Sequence, residues 1–161
     1  MSVDKRLRDL GIALYRSTAP VGAFTYIPYR KSGDWIFVSG QLPKRELDSG
    51  TVDIVKGKVG SEVSMEHAKE CARLCGISIL SVLRDACGGN LDKVTAVLKV
   101  DGFVNAVDSF QDHPGVINGC SDLFVQVFGA AIGSHARAAV GCASLPLGVP
   151  VEISAIFEIS D

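Results

Sequence analysis

The sequence predicts an α+β fold in the order β-β-α-β-α-β-β, one sheet carrying two helices on one face. Three observations predict it. Residues 64–87 keep a long three-and-four apolar rhythm, residues 149–159 alternate apolar and polar side chains, and nothing resembles the repeated βαβ units of a doubly wound parallel sheet.

From Val3 to Leu14, Leu7, Leu10 and Leu14 share one helical face, predicting a short helix within an N-terminal extension, residues 1–18. Ala23 to Arg30 and Trp35 to Ser39 are β-rich runs separated by Lys31-Ser32-Gly33-Asp34, which is turn chemistry and predicts a hairpin. Leu42 to Gly60 is polar and interrupted by glycine, a loop with a short strand around Val52 to Val55. Ser64 is a good N-cap for a helix to Cys87, in which Ala68, Cys71, Ala72, Cys75, Ile79, Val82, Leu83 and Ala86 line one face. Gly88-Gly89-Asn90 stops it.

Val94 to Val104 changes to period two, with Val94, Ala96, Leu98 and Val100 on one face. Val116 to Gly129 returns to helix through Val116, Ile117, Cys120, Leu123, Phe124, Val127 and Phe128. The last two strands read as a second hairpin around a loop at Leu145 to Gly148, the final one alternating through Val149, Val151, Ile153, Ala155, Phe157 and Ile159. The sheet face away from the helices still carries apolar residues and needs a cover, for which a ring of subunits is one answer.

A chain of 161 residues suits one domain, residues 1–161. With 47% hydrophobic and 21% charged residues it reads as globular. Sixteen basic and 18 acidic side chains give a net charge of −2, so there is no basic excess for a phosphate backbone and nucleic acid is disfavoured as a partner. No secretory signal is expected from the charged N-terminal residues, and no run approaches the roughly 18 apolar residues of a membrane span. Five cysteines, Cys71, Cys75, Cys87, Cys120 and Cys142, form no tight framework and read as reduced thiols of a cytoplasmic protein. Cys71 and Cys75 are one helical turn apart, but no second ligand pair accompanies them, so no metal is expected.

No nucleotide-binding glycine pattern, nucleophile elbow or Ser/His/Asp set stands out. His67 falls away from the apolar face of the long helix, and His113 precedes Pro114 in a connection; both read as solvated or structural. His135 is two residues before Arg137. Arg137 opens a strand of small residues, Ala136, Ala138, Ala139 and Gly141, which leaves room for a planar fork to hold a carboxylate bidentately. In a C-terminal hairpin, Glu152 would be its near-diagonal neighbour on one face. Such a pair is either a surface ion pair worth little or part of a binding site.

Several spaced motifs then agree. Ala136-Arg137-Ala138-Ala139-Val140, Leu145-Pro146, Val151-Glu152-Ile153 and Ala155 resemble the C-terminal signature of the YjgF/RidA/UK114 family, also called endoribonuclease L-PSP. Pro20, Tyr26 and Ser39-Gly40-Gln41 resemble its early motifs, and Asn118 resembles the Asn opening its last helix. Gly57 to Gly60 resembles a longer, chorismate-mutase-like branch.

The resemblance implies a RidA-like domain with the chorismate-mutase-like fold, one mixed sheet with two helices on one face, assembled as a homotrimer with ligand clefts between subunits. It implies hydrolysis of reactive enamines or imines to 2-keto acids and ammonia, without cofactor. Arg137 would grip a substrate carboxylate, helped by Ser39 and Gly40, with Asn118 alongside. Glu152 would orient a water, and Tyr26 would close the cleft from the neighbouring subunit. Water addition to an imine carbon needs positioning and modest acid/base help only. The alternatives are a trimer that senses small carboxylates without turnover and, third, a ribonuclease. The chain departs from the family at Ala139, where many deaminases have Cys, at His135, where they have Pro, and in a slightly longer segment between Asn118 and Arg137.

Overall fold

A computed structural model describes residues 1–16, 25–46 and 52–160. Pro20, Ala23 and Phe24 lie outside these residues. Strands β1 (Tyr29–Ser32) and β2 (Trp35–Gln41) form the first hairpin, with Ser32 opposite Trp35. Among the described residues the first strand begins at Tyr29, with Thr25 to Pro28 outside it, and it runs through two residues expected in the turn. Pro28 has no N–H for a ladder, and the tight turn needs only Gly33 and Asp34, with Gly33 at φ 57°. Residues Lys44–Glu46 (β3), which no alternation in the sequence marks, pair with Val52–Ile54 (β4) in a small separate sheet.

Helix α1 spans Val3–Asp9, with Ser2 accepting a hydrogen bond from the Lys5 amide. It stops short of Leu14 because Gly11, at φ 67°, closes it: Gly11 N–H donates to Arg8 O and Ile12 N–H to Leu7 O. Leu7 is buried, Leu10 is exposed, and Leu14 packs on the core from beyond the helix.

Helix α2 is Met65–Ala86, capped by Ser64 as its sequence demands, and its apolar stripe is buried from Ala68 to Leu83. Helix α3 is His113–Phe128. It starts earlier than its apolar rhythm suggests, because the Asp112 carboxylate accepts from the Gly115 amide and Pro114 fits a first helical turn. His113 is therefore the first residue of a helix and not part of a connection. The two helices lie together on one face of the sheet and cross closely at Gly119, where a Cβ would overlap the Lys69 carbonyl oxygen. A four-residue helix α4 (Ala130–Gly133) follows.

The five-stranded mixed sheet has the order β1-β2-β7-β5-β6, where β5 is Val94–Asn105, β6 Ala136–Cys142 and β7 Val151–Ile159. This corrects the expected C-terminal hairpin. Strand β6 runs parallel to β5 after the α3 crossover, and β7 lies antiparallel between β2 and β5. Side-chain bulk explains the choice: β7 fills the centre with Val151, Ile153, Phe157 and Ile159, all buried, whereas alanine- and glycine-rich β6 suits an edge. Phe157 meets Phe124 of α3 edge-on at 5.6 Å between ring centroids.

Strand β5 also departs from simple alternation. Register shifts between Val94 and Ala96 and between Val97 and Lys99 turn Val97 inward, so Val94, Val97 and Val100 are buried while Ala96 and Leu98 are only half-buried. The helix-free sheet face presents Trp35, Phe37 and Val140, all exposed, with Phe103 and Ile156 half-buried among them. Among the described residues no helix is long and apolar enough to cross a membrane.

Candidate functional site

Arg137 sits near the start of β6, opposite Val100, with its side chain turned toward α3. Its Nη1 donates to Asn118 Oδ1 at 2.7 Å and to Ser121 Oγ at 3.2 Å. Asn118 and Ser121 are one helical turn apart and therefore share the α3 face above β6. No hydrogen bond ties Nε or Nη2 to the described residues, so the fork is anchored through Nη1 while its Nε–Nη2 edge has no hydrogen-bond partner among them. Ala139 and Gly141 follow Arg137 on the same face. At Gly141 a Cβ would crowd the His113 imidazole, whose ring meets Phe110 edge-on at 5.3 Å.

His135 continues the network. Its Nε2 is 2.9 Å from Ser121 Oγ, and its Nδ1 is 2.6 Å from the Gly133 carbonyl oxygen. A carbonyl only accepts, so Nδ1 carries a proton; in the neutral ring Nε2 is then the acceptor for the Ser121 hydroxyl. The sequence motifs mark His135 but not Ser121. Its three-residue step from Asn118 is the available signal, because it puts both side chains on one helix face.

Glu152 belongs to a different place. The residues on either side of it in β7, Val151 and Ile153, are buried under the helices, so Glu152 points to the helix-free face. It is opposite Phe103 of β5 and packs against Gly40, where a Cβ would overlap its carboxylate. A register shift between Val38 and Gln41 lets β2 bend there. Burial pushes the Glu152 carboxyl above its usual range, and no hydrogen bond or ion pair with the described residues opposes this. The expected sharing of one sheet face by Arg137 and Glu152 is thus incorrect: β5 separates their strands and their side chains leave opposite faces.

Ser39 donates from its hydroxyl to Ile27 O at 2.7 Å and from its amide to Pro28 O at 2.9 Å, tying β2 to the segment that carries Tyr26. Tyr26 is half exposed and lines a shallow depression with Ile27, Arg30, Phe37 and Ser39. Within the chain these residues therefore fall into two separate groups: Arg137, Asn118, Ser121 and His135 under α3, and Glu152 with Gly40 where β7 meets β2, next to Ser39 and Tyr26 on the β1 side of β2. His67 is exposed on α2. All five cysteines are free, four of them buried and Cys142 half-buried.

Residues 4–157 match the family described as "YjgF/chorismate mutase-like, putative endoribonuclease", and the chain belongs to this YjgF/RidA family. Among individual relatives, it is 39% identical over 159 residues to Protein TCP17 of Trypanosoma cruzi, covering 99% of this chain and 95% of that protein. It is 42% identical to the crystal structure of Atu1372, of unknown function, from Agrobacterium tumefaciens, with a TM-score of 0.84 over 98% of this chain and 92% of that one. A crystal structure described as a putative endoribonuclease from Shewanella oneidensis superposes with a TM-score of 0.87 at 26% identity, covering 99% and 100% of the two chains.

Proposed function

We propose that this protein hydrolyses small carboxylate-bearing enamines or imines to 2-keto acids and ammonia in clefts between the subunits of a cytoplasmic homotrimer. The observation that carries this reading is the half-anchored Arg137 fork. Asn118 and Ser121 hold Nη1, and the Nε–Nη2 edge is left to bind a carboxylate through parallel hydrogen bonds.

With the substrate so held, a carboxylate beside its imine carbon is needed to orient water. Glu152 suits that role, being half-buried, unpaired among the described residues and raised in pKa by burial, which makes it a stronger base than an exposed carboxylate. It takes a proton from water as the oxygen adds to the imine carbon. Transfer of a proton to nitrogen and cleavage of the C–N bond then release ammonia and leave the keto acid. Backbone groups at Ser39 and Gly40 line the approach, and Tyr26 covers it. Since Arg137 and Glu152 leave opposite sheet faces, the complete cleft takes Arg137 from one subunit and Glu152 from its neighbour. The apolar helix-free face, with Trp35, Phe37 and Val140, supports such an assembly.

Ammonia release from freshly generated imino acids tests the proposal. Wild type should exceed the spontaneous rate, and Arg137→Ala should fall to it. Carboxylate binding through Arg137 without any acceleration would instead favour the sensor reading. A ribonuclease reading draws on the relatives' descriptions, but a net charge of −2 gives it little electrostatic support.

A further inference from the structure

The network beneath Arg137 has a chemistry that imine hydrolysis does not use. Ser121 Oγ is 2.9 Å from His135 Nε2, and His135 Nδ1 is 2.6 Å from Gly133 O. This is the order of parts in an activated-serine site: a hydroxyl, an imidazole in the tautomer able to take its proton, and a fixed acceptor that holds this tautomer. The acceptor is a backbone carbonyl in place of a carboxylate. Packing holds it in place, because Gly133 lies so close to α3 that a Cβ would crowd the Phe124 carbonyl and the Val125 Cα. The imidazole is also held by an edge-on contact with the Phe124 ring, at 6.1 Å and 73°. Arg137 Nη1 donates into the serine oxygen at 3.2 Å, which stabilises negative charge developing there. Ser121, His135 and Arg137 are all half-buried, with the oxygen neither sealed in the core nor fully solvated.

We propose that Ser121 is a nucleophile with His135 as its base, giving the protein an acyl-transfer activity on small activated carboxylic esters. Ser121 Oγ bonds to the acyl carbon while its proton passes to His135 Nε2. The C–O bond to the alcohol breaks, and the alcohol departs with that proton. Water, deprotonated by His135, then cleaves the acyl-serine, restoring the hydroxyl and releasing the carboxylic acid. The free edge of the Arg137 fork and the Asn118 amide nitrogen, neither hydrogen-bonded to the described residues, can polarise the carbonyl oxygen. The small side chain of Ala139, two residues after Arg137 on the same β6 face, suits short acyl groups. This activity does not depend on Glu152 or on imine hydrolysis.

The test uses the wild-type protein with p-nitrophenyl acetate and an alkyl fluorophosphonate, which phosphonylates activated serines. The expected result is a burst of p-nitrophenolate close to one per chain and a single adduct on the peptide containing Ser121. Ser121→Ala should abolish both, and His135→Gln should slow labelling by about 100-fold or more. Adduct mapping on wild type requires no variant to fold. An unlabelled Ser121, or the same burst in Ser121→Ala, would overturn the proposal, whether or not ammonia release is observed.

Discussion

Arg137 and Glu152 stand in strands β6 and β7 with β5 between them, and their side chains leave opposite faces of one sheet. Within one chain they cannot act on the same small molecule. If they work together, the site belongs to two chains.

Mixed assemblies should show this directly. Arg137→Ala and Glu152→Gln proteins, each inactive alone, should regain activity when unfolded together and reassembled. A random equal mixture places a wild-type Arg137 beside a neighbour's wild-type Glu152 in about a quarter of clefts. No recovery from an equal mixture of verified heteromers would exclude a shared cleft.

The two residues should also fail differently. Arg137→Lys keeps charge but cannot form paired parallel hydrogen bonds, so kcat/KM should fall by roughly 30- to 1000-fold, about 2–4 kcal/mol. Glu152→Gln keeps shape and removes the base, so kcat should fall more than ligand affinity. Steady-state kinetics with a carboxylate inhibitor distinguish the two patterns. An Arg137→Lys enzyme with wild-type kcat/KM would contradict the carboxylate role.

Glu152 makes stability depend on pH in a particular direction. Its folded pKa lies above the unfolded value because burial disfavours the charge, so the folded state binds more protons between the two values. Stability from this group is fully present below the unfolded carboxylate pKa and is lost as pH rises through the raised folded pKa. Glu152→Gln removes the loss. At pH 7 the variant should melt above wild type, and the gap should close as pH falls through the carboxylate range. A gap that widens on acidification would refute the assignment.

Lys58 joins three parts of the chain. Its ammonium donates to Asn105 Oδ1 at 2.8 Å, Ala106 O at 3.2 Å and Ala143 O at 2.8 Å, while Asn105 Nδ2 donates to Val149 O at 3.2 Å. Lys58→Met keeps the stem but leaves these oxygens without their donor, which should cost about 1–3 kcal/mol in urea unfolding. The β6–β7 connection should lose amide protection before the helices do. A change within a few tenths of a kcal/mol would mean that water replaces the ammonium freely.

Thiol chemistry should follow burial. Desolvation pushes Cys71 up to about 11 and raises Cys75, Cys87 and Cys120 as well, so little thiolate forms at neutral pH. A disulfide reagent should modify at most Cys142 in the native protein and all five cysteines in denaturant without reductant. Fewer than five in denaturant would reveal a disulfide.

Local chemistry alone made α2, the first hairpin and the last strand legible. Ser64 caps the helix on its own, Gly33 makes its own turn, and the alternation from Val151 to Ile159 says which face is buried. The spacing of Asn118, Arg137 and Glu152 within known motifs likewise pointed to the candidate groups. Alternation does not say which strand lies alongside. The choice between a β6–β7 hairpin and a parallel β5–β6 pair depends on filling the sheet centre with β7, a packing energy shared by β2, β5 and both helices. Only that choice put β6 beneath α3, bringing Ser121 and His135 to Arg137, and only it sent Glu152 to the other face. Lys58 was invisible for the same reason, since the oxygens it joins are 47 to 85 residues away and meet only once the sheet has formed.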